Sequence, residues 1–139
     1  MSYKIIGKYI KDLNFSIPNP KTFFLLSKDI SNYKINIDIK SNQVKEKIIE
    51  VQTSLGLTPV KEDFEKINTK IVFATIVELS EEIVDKKEIE KIILIKVPTE
   101  IYPELRKIFV FIFENSGFKE VKISEQVDFK KLYTLKKIQ

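Results

Sequence analysis

The chain has 139 residues, enough for a single domain spanning 1–139, and 43% of them are hydrophobic, enough for a buried core. It contains no cysteine and no histidine, which excludes disulfides, thiolate nucleophiles, thiolate metal sites and imidazole acid–base chemistry. The 24 basic and 20 acidic residues leave a net charge of +4, too mild and too dispersed for a strong nucleic-acid signal.

Tyr3–Phe15 reads as a first strand with Ile5, Tyr9, Leu13 and Phe15 on one face. Ile17-Pro18-Asn19-Pro20 then ends regular pairing, because two prolines remove two backbone donors and hold the chain extended. The apolar run Thr22–Leu26 follows, inside what reads as a crossover loop. Tyr33–Lys40 is the cleanest alternation, a strand with one apolar and one polar face. Lys47–Leu55 continues in that style, with Ile49, Val51, Thr53 and Leu55 on one side. Asn68–Leu79 is another strand region whose centre, Ile71–Val77, is apolar on both faces. Such a strand needs cover on both sides, and the second cover is expected from another subunit.

From Lys86 the period becomes helical, with Ile89, Ile92 and Ile93 in phase, until Val97-Pro98-Thr99 interrupts it. Ile101, Leu105, Ile108, Phe109, Ile112 and Phe113 then form a core-facing stripe. Val110 and Phe111 make that helix apolar nearly all round, so Ile108, Val110, Phe111 and Ile112 are the candidate oligomer interface. Gly117 suits the left-handed position after the helix, and Phe118 can pack back on Phe113. Asp128 caps a last helix, Phe129–Ile138, with Phe129, Leu132 and Tyr133 inward. Three to four antiparallel strands followed by two or three helices mean an α+β fold with the helices on one face of the sheet.

No catalytic constellation is present. Glu81-Glu82 and Glu62-Asp63 lie in charged stretches and read as solvated. Asp12, Asp38 and Asp128 have no metal-ligand spacing. Arg106 is expected to pair with Glu100 or Glu104 on the surface. The lysine pairs 86–87, 130–131 and 136–137 read as solubilising charge, with a nucleic-acid-associated module as the reading they would otherwise support. Phe15, Phe23, Phe24 and Tyr33 cluster around the crossover, where they either fill the gap between loop and sheet or line a groove for apolar segments. The residues therefore describe a binding protein, not an enzyme, with no cofactor and no metal. No apolar run approaches the roughly 18 residues of a membrane span. No signal peptide is visible, and the absence of cysteine fits a cytoplasmic location.

Three segments, in order, resemble the SecB family of bacterial protein-export chaperones. Tyr9-Ile-Lys11-Asp12-Leu13-Asn-Phe15-Ser16-Ile17-Pro18-Asn19-Pro20 is similar to the family's first-strand motif. Val97-Pro98-Thr-Glu-Ile101-Tyr102-Pro103-Glu-Leu105-Arg106, followed by Ser116-Gly117-Phe118, resembles its long-helix start and the turn that ends that helix. Val127-Asp128-Phe129-Lys-Lys-Leu132-Tyr133 resembles its closing helix. The resemblance implies a four-stranded antiparallel sheet with helices on one face, assembled as a dimer of dimers. It implies an ATP-independent holdase for unfolded precursor polypeptides bound for export, delivered to the ATPase SecA. The client groove would lie beside the crossover, at Phe15, Ile17, Pro18, Phe23, Phe24 and Leu25, with Tyr33 near it, and Asp12 would be a SecA contact. Ser16 stands where the motif has Glu, Val77–Ser80 replaces a Gly-Ile-Phe segment, and the family's SecA-engaging tail has no counterpart before Gln139. SecB-like chaperones dedicated to a toxin–antitoxin pair or one client share the fold and are the alternative it implies.

Overall fold

The computed structural model describes residues 2–28, 33–59, 68–118 and 123–138. In chain order these form β1 (Tyr3–Ser16), α1 (Pro20–Lys28), β2 (Tyr33–Lys45), β3 (Ile48–Pro59), β4 (Asn68–Leu79), α2 (Lys86–Lys91), a π-helical turn (Ile92–Lys96), α3 (Val97–Glu114) and α4 (Phe129–Ile138). The strands make one antiparallel sheet in the order β1-β4-β3-β2. The α+β architecture read from the sequence is the one observed. Among the described residues no helix is long and apolar enough to cross a membrane.

Alternation decides which face of the sheet is buried. Ile49, Val51, Thr53, Leu55 and Leu57 of β3 and Ile71, Phe73, Thr75, Val77 and Leu79 of β4 point to one side and are buried. Onto them α3 lays Val97, Ile101, Leu105, Phe109 and Phe113. Each such side chain contributes about 1.5–3 kcal/mol by leaving water.

β1 departs from the simple alternation. It has 14 residues where its partner β4 has 12, and the register shifts between Ile5 and Gly7 and again between Ile10 and Asp12. Each bulge turns the following side chains over. Ile5 stands opposite Val77 on the helix side, Tyr9 stands opposite Ala74 on the open side, and Leu13 and Phe15 return to the helix side opposite Ile71 and Thr69. The single face expected for Ile5, Tyr9 and Leu13 is therefore split. On the helix side the strand is tied down by Lys8 Nζ on Glu104 at 2.5 Å and by Tyr3 Oη donating to Glu100 at 3.0 Å. Burial, helped by the Glu100 carboxylate, pushes the Tyr3 hydroxyl up to about 12.

The crossover is not a loop, as the pattern suggested, but the helix α1. Asn19 caps it, accepting the Thr22 N–H on its side-chain oxygen at 2.9 Å, and Pro20 starts it without wasting a donor. The interruption expected at Val97-Pro98-Thr99 is also absent. The helix runs on through a π turn in which the Val97 N–H reaches back five residues to the Ile92 carbonyl. Pro98 supplies no N–H, so the turn ahead of it lacks an ordinary helical bond. The wider turn lets Ile92 and Val97, five apart, both be buried.

The end of α3 is as the sequence suggests. Gly117 has φ 100°, the Phe118 N–H donates to the Phe113 carbonyl at 3.2 Å, and the two rings lie 5.3 Å apart. Arg106 does not pair with Glu100 or Glu104, which are occupied by Tyr3 and Lys8. Its Nε donates instead to the Ile123 carbonyl at 3.0 Å, and Tyr102 Oη donates to the Ser124 carbonyl at 2.7 Å. Together they hold the segment leading to α4, whose N-cap Asp128 accepts the Lys131 N–H. Phe129 and Tyr133 are buried as expected, whereas Leu132 is partly exposed, at 38%.

Among the described residues, the open face of the sheet carries one buried carboxylate. Glu50 on β3 is 7% exposed and accepts hydrogen bonds from Tyr9 Oη, Lys11 Nζ at 3.0 Å, Asn42 Nδ2 at 3.2 Å and Gln52 Nε2 at 2.7 Å. Since β4 lies between β1 and β3, the Tyr9 side chain crosses over β4 to reach it, and Ala74 beneath is fully buried. Part of the second cover expected from another subunit is thus supplied by the chain itself. The hydrogen bond from Tyr9, with those from Gln52 and Lys11, pulls the Glu50 carboxyl down to about 2, and the same Glu50 contact holds the Tyr9 hydroxyl above the ordinary phenol range.

Two outcomes follow. A folded-state value below the unfolded one gives stability that is present above about pH 4.5 and is lost as pH falls toward 2. Urea titrations across that range should show it, and Glu50→Ala, which removes four hydrogen bonds at a cost of about 1–3 kcal/mol, should flatten the acid limb. Separately, the hydroxyls of Thr53, Thr69 and Thr75 are buried without a partner among the described residues. Thr75→Val keeps the shape and removes an unsatisfied group, so it should raise stability by about 1 kcal/mol, measured as an upward shift in Tm.

Candidate functional site

The crossover residues divide into two groups. Phe15 packs edge-on against Phe113 at 5.0 Å, and Phe23 packs against Phe118 at 4.9 Å. These rings join Phe109 and Phe113 in one aromatic cluster at the end of the core, with Ile17 packed against it. A Cβ at Gly117 would come within 3.2 Å of the Phe23 ring, so the crossover helix and the end of α3 fit closely. Phe24 faces outward, 63% exposed, with its ring 5.7 Å from Phe23, while Leu25 is half-buried and Pro18 exposed. Tyr33 begins β2 opposite Pro59, and its side chain lies outside the described residues.

A second apolar site lies farther along the sheet. Ile37 and Ile39 of β2, Leu94 of the π turn, and Phe129, Leu132 and Tyr133 of α4 enclose a cavity of about 230 Å³, with Glu90 of α2 in its wall. An adjoining hollow of about 280 Å³ shares Glu90 and Leu94 and extends past Ile93 to Ser41. The two form a channel along β2, which is an edge strand of the sheet formed by the described residues. Apolar walls, a strand edge and two charged side chains, Glu90 and, at the outer hollow, Lys86, suit an extended polypeptide, held by side-chain burial and main-chain pairing. Ile37, Ile39 and Leu132 were visible in the sequence as apolar positions. Their convergence was not, because it depends on the π turn and on where α4 docks.

The other sequence candidates do not converge. Asp12 is on the open face of β1 and accepts a hydrogen bond from Asn14 at 2.9 Å. Asp38 is on β2 at the opposite edge, and Asp128 is the cap of α4. Among the described residues no group of three acidic side chains is placed to hold a metal. Glu81 and Glu82 lie exposed in a turn, and the pair at positions 62 and 63 lies outside the described residues. Phe111 is 64% exposed on α3, with Ile108, Val110 and Ile112 half-buried beside the core. Lys86, Lys87, Lys130 and Lys131 are exposed on two different helices, and the side chains at 136 and 137 lie outside the described residues.

The family model for preprotein translocase subunit SecB matches residues 1–139. A putative protein-export protein SecB of Pelagibacter ubique is 43% identical over 132 residues, covering 95% of this chain and 94% of that one. The protein-export protein SecB of Anaplasma phagocytophilum is 25% identical, covering 94% of this chain and 89% of its own. Among solved structures, the SecB-like chaperone Rv1957 of Mycobacterium tuberculosis, in complex with a ChAD peptide from the Rv1956 HigA1 antitoxin, superposes with a TM-score of 0.66 over 91% of this chain and 88% of its own at 10% identity, which shows a shared fold. With its four-stranded sheet, its long helix and a family match that runs from end to end, the chain belongs to the SecB family.

Proposed function

We propose that the chain is an ATP-independent holdase that binds unfolded precursor polypeptides for export. The observation that carries this reading is the apolar channel along the free edge of β2. A site of this kind takes many sequences, because burial and backbone pairing do not require a particular side chain. Binding the unfolded chain and not the folded one keeps a client from folding by mass action. Phe24 and Pro18, exposed on and before α1, extend the apolar surface that a long client meets. The protein-export name of the relative at 43% identity supports an export client, and the antitoxin peptide bound to the structural neighbour supports a single dedicated client as the second reading. One dominant small partner in a pull-down, in place of many precursors, would favour the second.

The proposal includes a homo-oligomer built as a dimer of dimers. β1 is the other free edge, and Ile6, Tyr9, Ile10 and Leu13 along it are each more than 40% exposed. An apolar edge of this length is an aggregation hazard unless it is covered. Phe111 and its neighbours on α3 offer a second contact. Asp12, on the open face, is the candidate contact for SecA.

Purified protein should suppress aggregation of a chemically unfolded substrate without ATP. Leu132→Asn, at a partly exposed channel position, should weaken binding of an unfolded substrate roughly tenfold, with the circular dichroism spectrum unchanged. Wild-type binding by the variant would remove the channel from the reading. Light scattering should give a tetramer mass, and Leu13→Lys should reduce it; a wild-type monomer would overturn the assembly.

A further inference from the structure

We propose that Glu90 is the specificity-determining residue of the channel, selecting extended client segments that carry a lysine or arginine among apolar side chains; the proposal rests on the channel being the client site. Glu90 is half-buried in the wall shared by the 230 Å³ cavity and the adjoining hollow. It makes no ion pair or hydrogen bond among the described residues, whereas three other acidic side chains of the same helical run, Glu88, Glu100 and Glu104, are engaged. Glu88 lies 3.9 Å from Lys96, Glu100 accepts from Tyr3, and Glu104 accepts from Lys8. Lys86, one turn before Glu90, borders the outer hollow but lies outside ion-pair distance of it.

The placement of Glu90 has a structural cause. Glu90 and Leu94 are four apart, so they share a helical face, and both line the two hollows. The π turn that begins at Ile92 re-phases the helix, so that Ile92 and Val97 anchor it to the sheet while Leu94 stays turned to the channel. Opposite Glu90 the channel offers Ile37, Ile39 and Ser41, none of which can pair with a carboxylate by charge.

An extended client passes alternate side chains along the channel at a repeat of about 6.6–6.8 Å. As it covers the channel it strips water from Glu90. An uncompensated carboxylate in an apolar wall is costly, and a lysine or arginine seated beside it offsets that cost. A glutamate there adds repulsion to the loss of water. Charge complementarity thus sorts segments of equal apolar content.

The test uses the full chain and three fluorescent extended peptides of one apolar sequence, with Lys, Gln or Glu scanned through the central positions. At low salt the wild type should bind the Lys peptide about threefold to tenfold more tightly than the Gln peptide at one register, and the Glu peptide more weakly than either. Glu90→Gln should erase the ranking by tightening the Gln and Glu peptides, since no carboxylate is then stripped of water, and Glu90→Lys should reverse it. No charge ranking in the wild type, or a ranking that survives in Glu90→Gln, overturns the proposal. The two readings fail separately. If Leu132→Asn leaves every peptide bound as in the wild type, the channel is not the client site. If it weakens every peptide while Glu90→Gln changes nothing, the channel stands and Glu90 is not its selector.

Discussion

The packing of the α3 stripe on the inner strands β3 and β4 is the contact from which the rest of the structure hangs. Ile101, Leu105, Phe109 and Phe113 on the helix meet Leu55, Ile71 and Phe73 on the sheet, and Val97 meets Val51 and Val77 in the neighbouring cluster. Once that interface is fixed, one face of the sheet is committed to the helices and the other is left open. The edges β1 and β2 are then held only partly. β1 is pinned by Tyr3 and Lys8 to the acidic side chains of α3, and β2 leans its isoleucines toward a space that α4 does not fill. The channel is this unfilled space, a direct result of covering a four-stranded sheet with a helix layer too narrow for it.

The open face is steadied differently. A carboxylate at 7% exposure with four donors is expensive to assemble and expensive to disturb. Because the donors come from β1, β2 and β3, Glu50 ties three strands together from the side the helices do not reach. This arrangement covers part of the outer surface of the apolar strand β4, with Tyr9 laid over Ala74 and polar groups around its tip.

Much of this was legible in the sequence. The clean alternation of Ile35, Ile37 and Ile39 gave β2, the four-and-three spacing from Ile101 to Phe113 gave α3, and Gly117-Phe118 marked where it stops. What escaped has a common character. α1 was hidden because a capping Asn19 and a Pro20 at its start resemble the breakers of a loop. The π turn was hidden because Pro98 looks like an interruption, whereas the helix absorbs it with a wider turn. The role of Arg106 depends on a partner 17 residues away, and that of Glu50 on Tyr9 and Lys11, 41 and 39 residues away, and no local pattern carries that information. The channel combines all of these: its residues are apolar by inspection, but only the docked positions of the π turn and α4 bring them around one space.

The two bulges in β1 bear on how this strand can change in length. Fourteen residues face twelve, and the surplus pair falls at Ile6 and Lys11, the positions without a partner on β4. Removing either one leaves every other side chain on the face it now occupies and merely straightens the strand. Removing a residue between them exchanges inside for outside over the stretch that carries Tyr9. A one-residue deletion therefore has two natural homes in this strand, Ile6 and Lys11, and at either one it preserves the pairing with β4 from end to end.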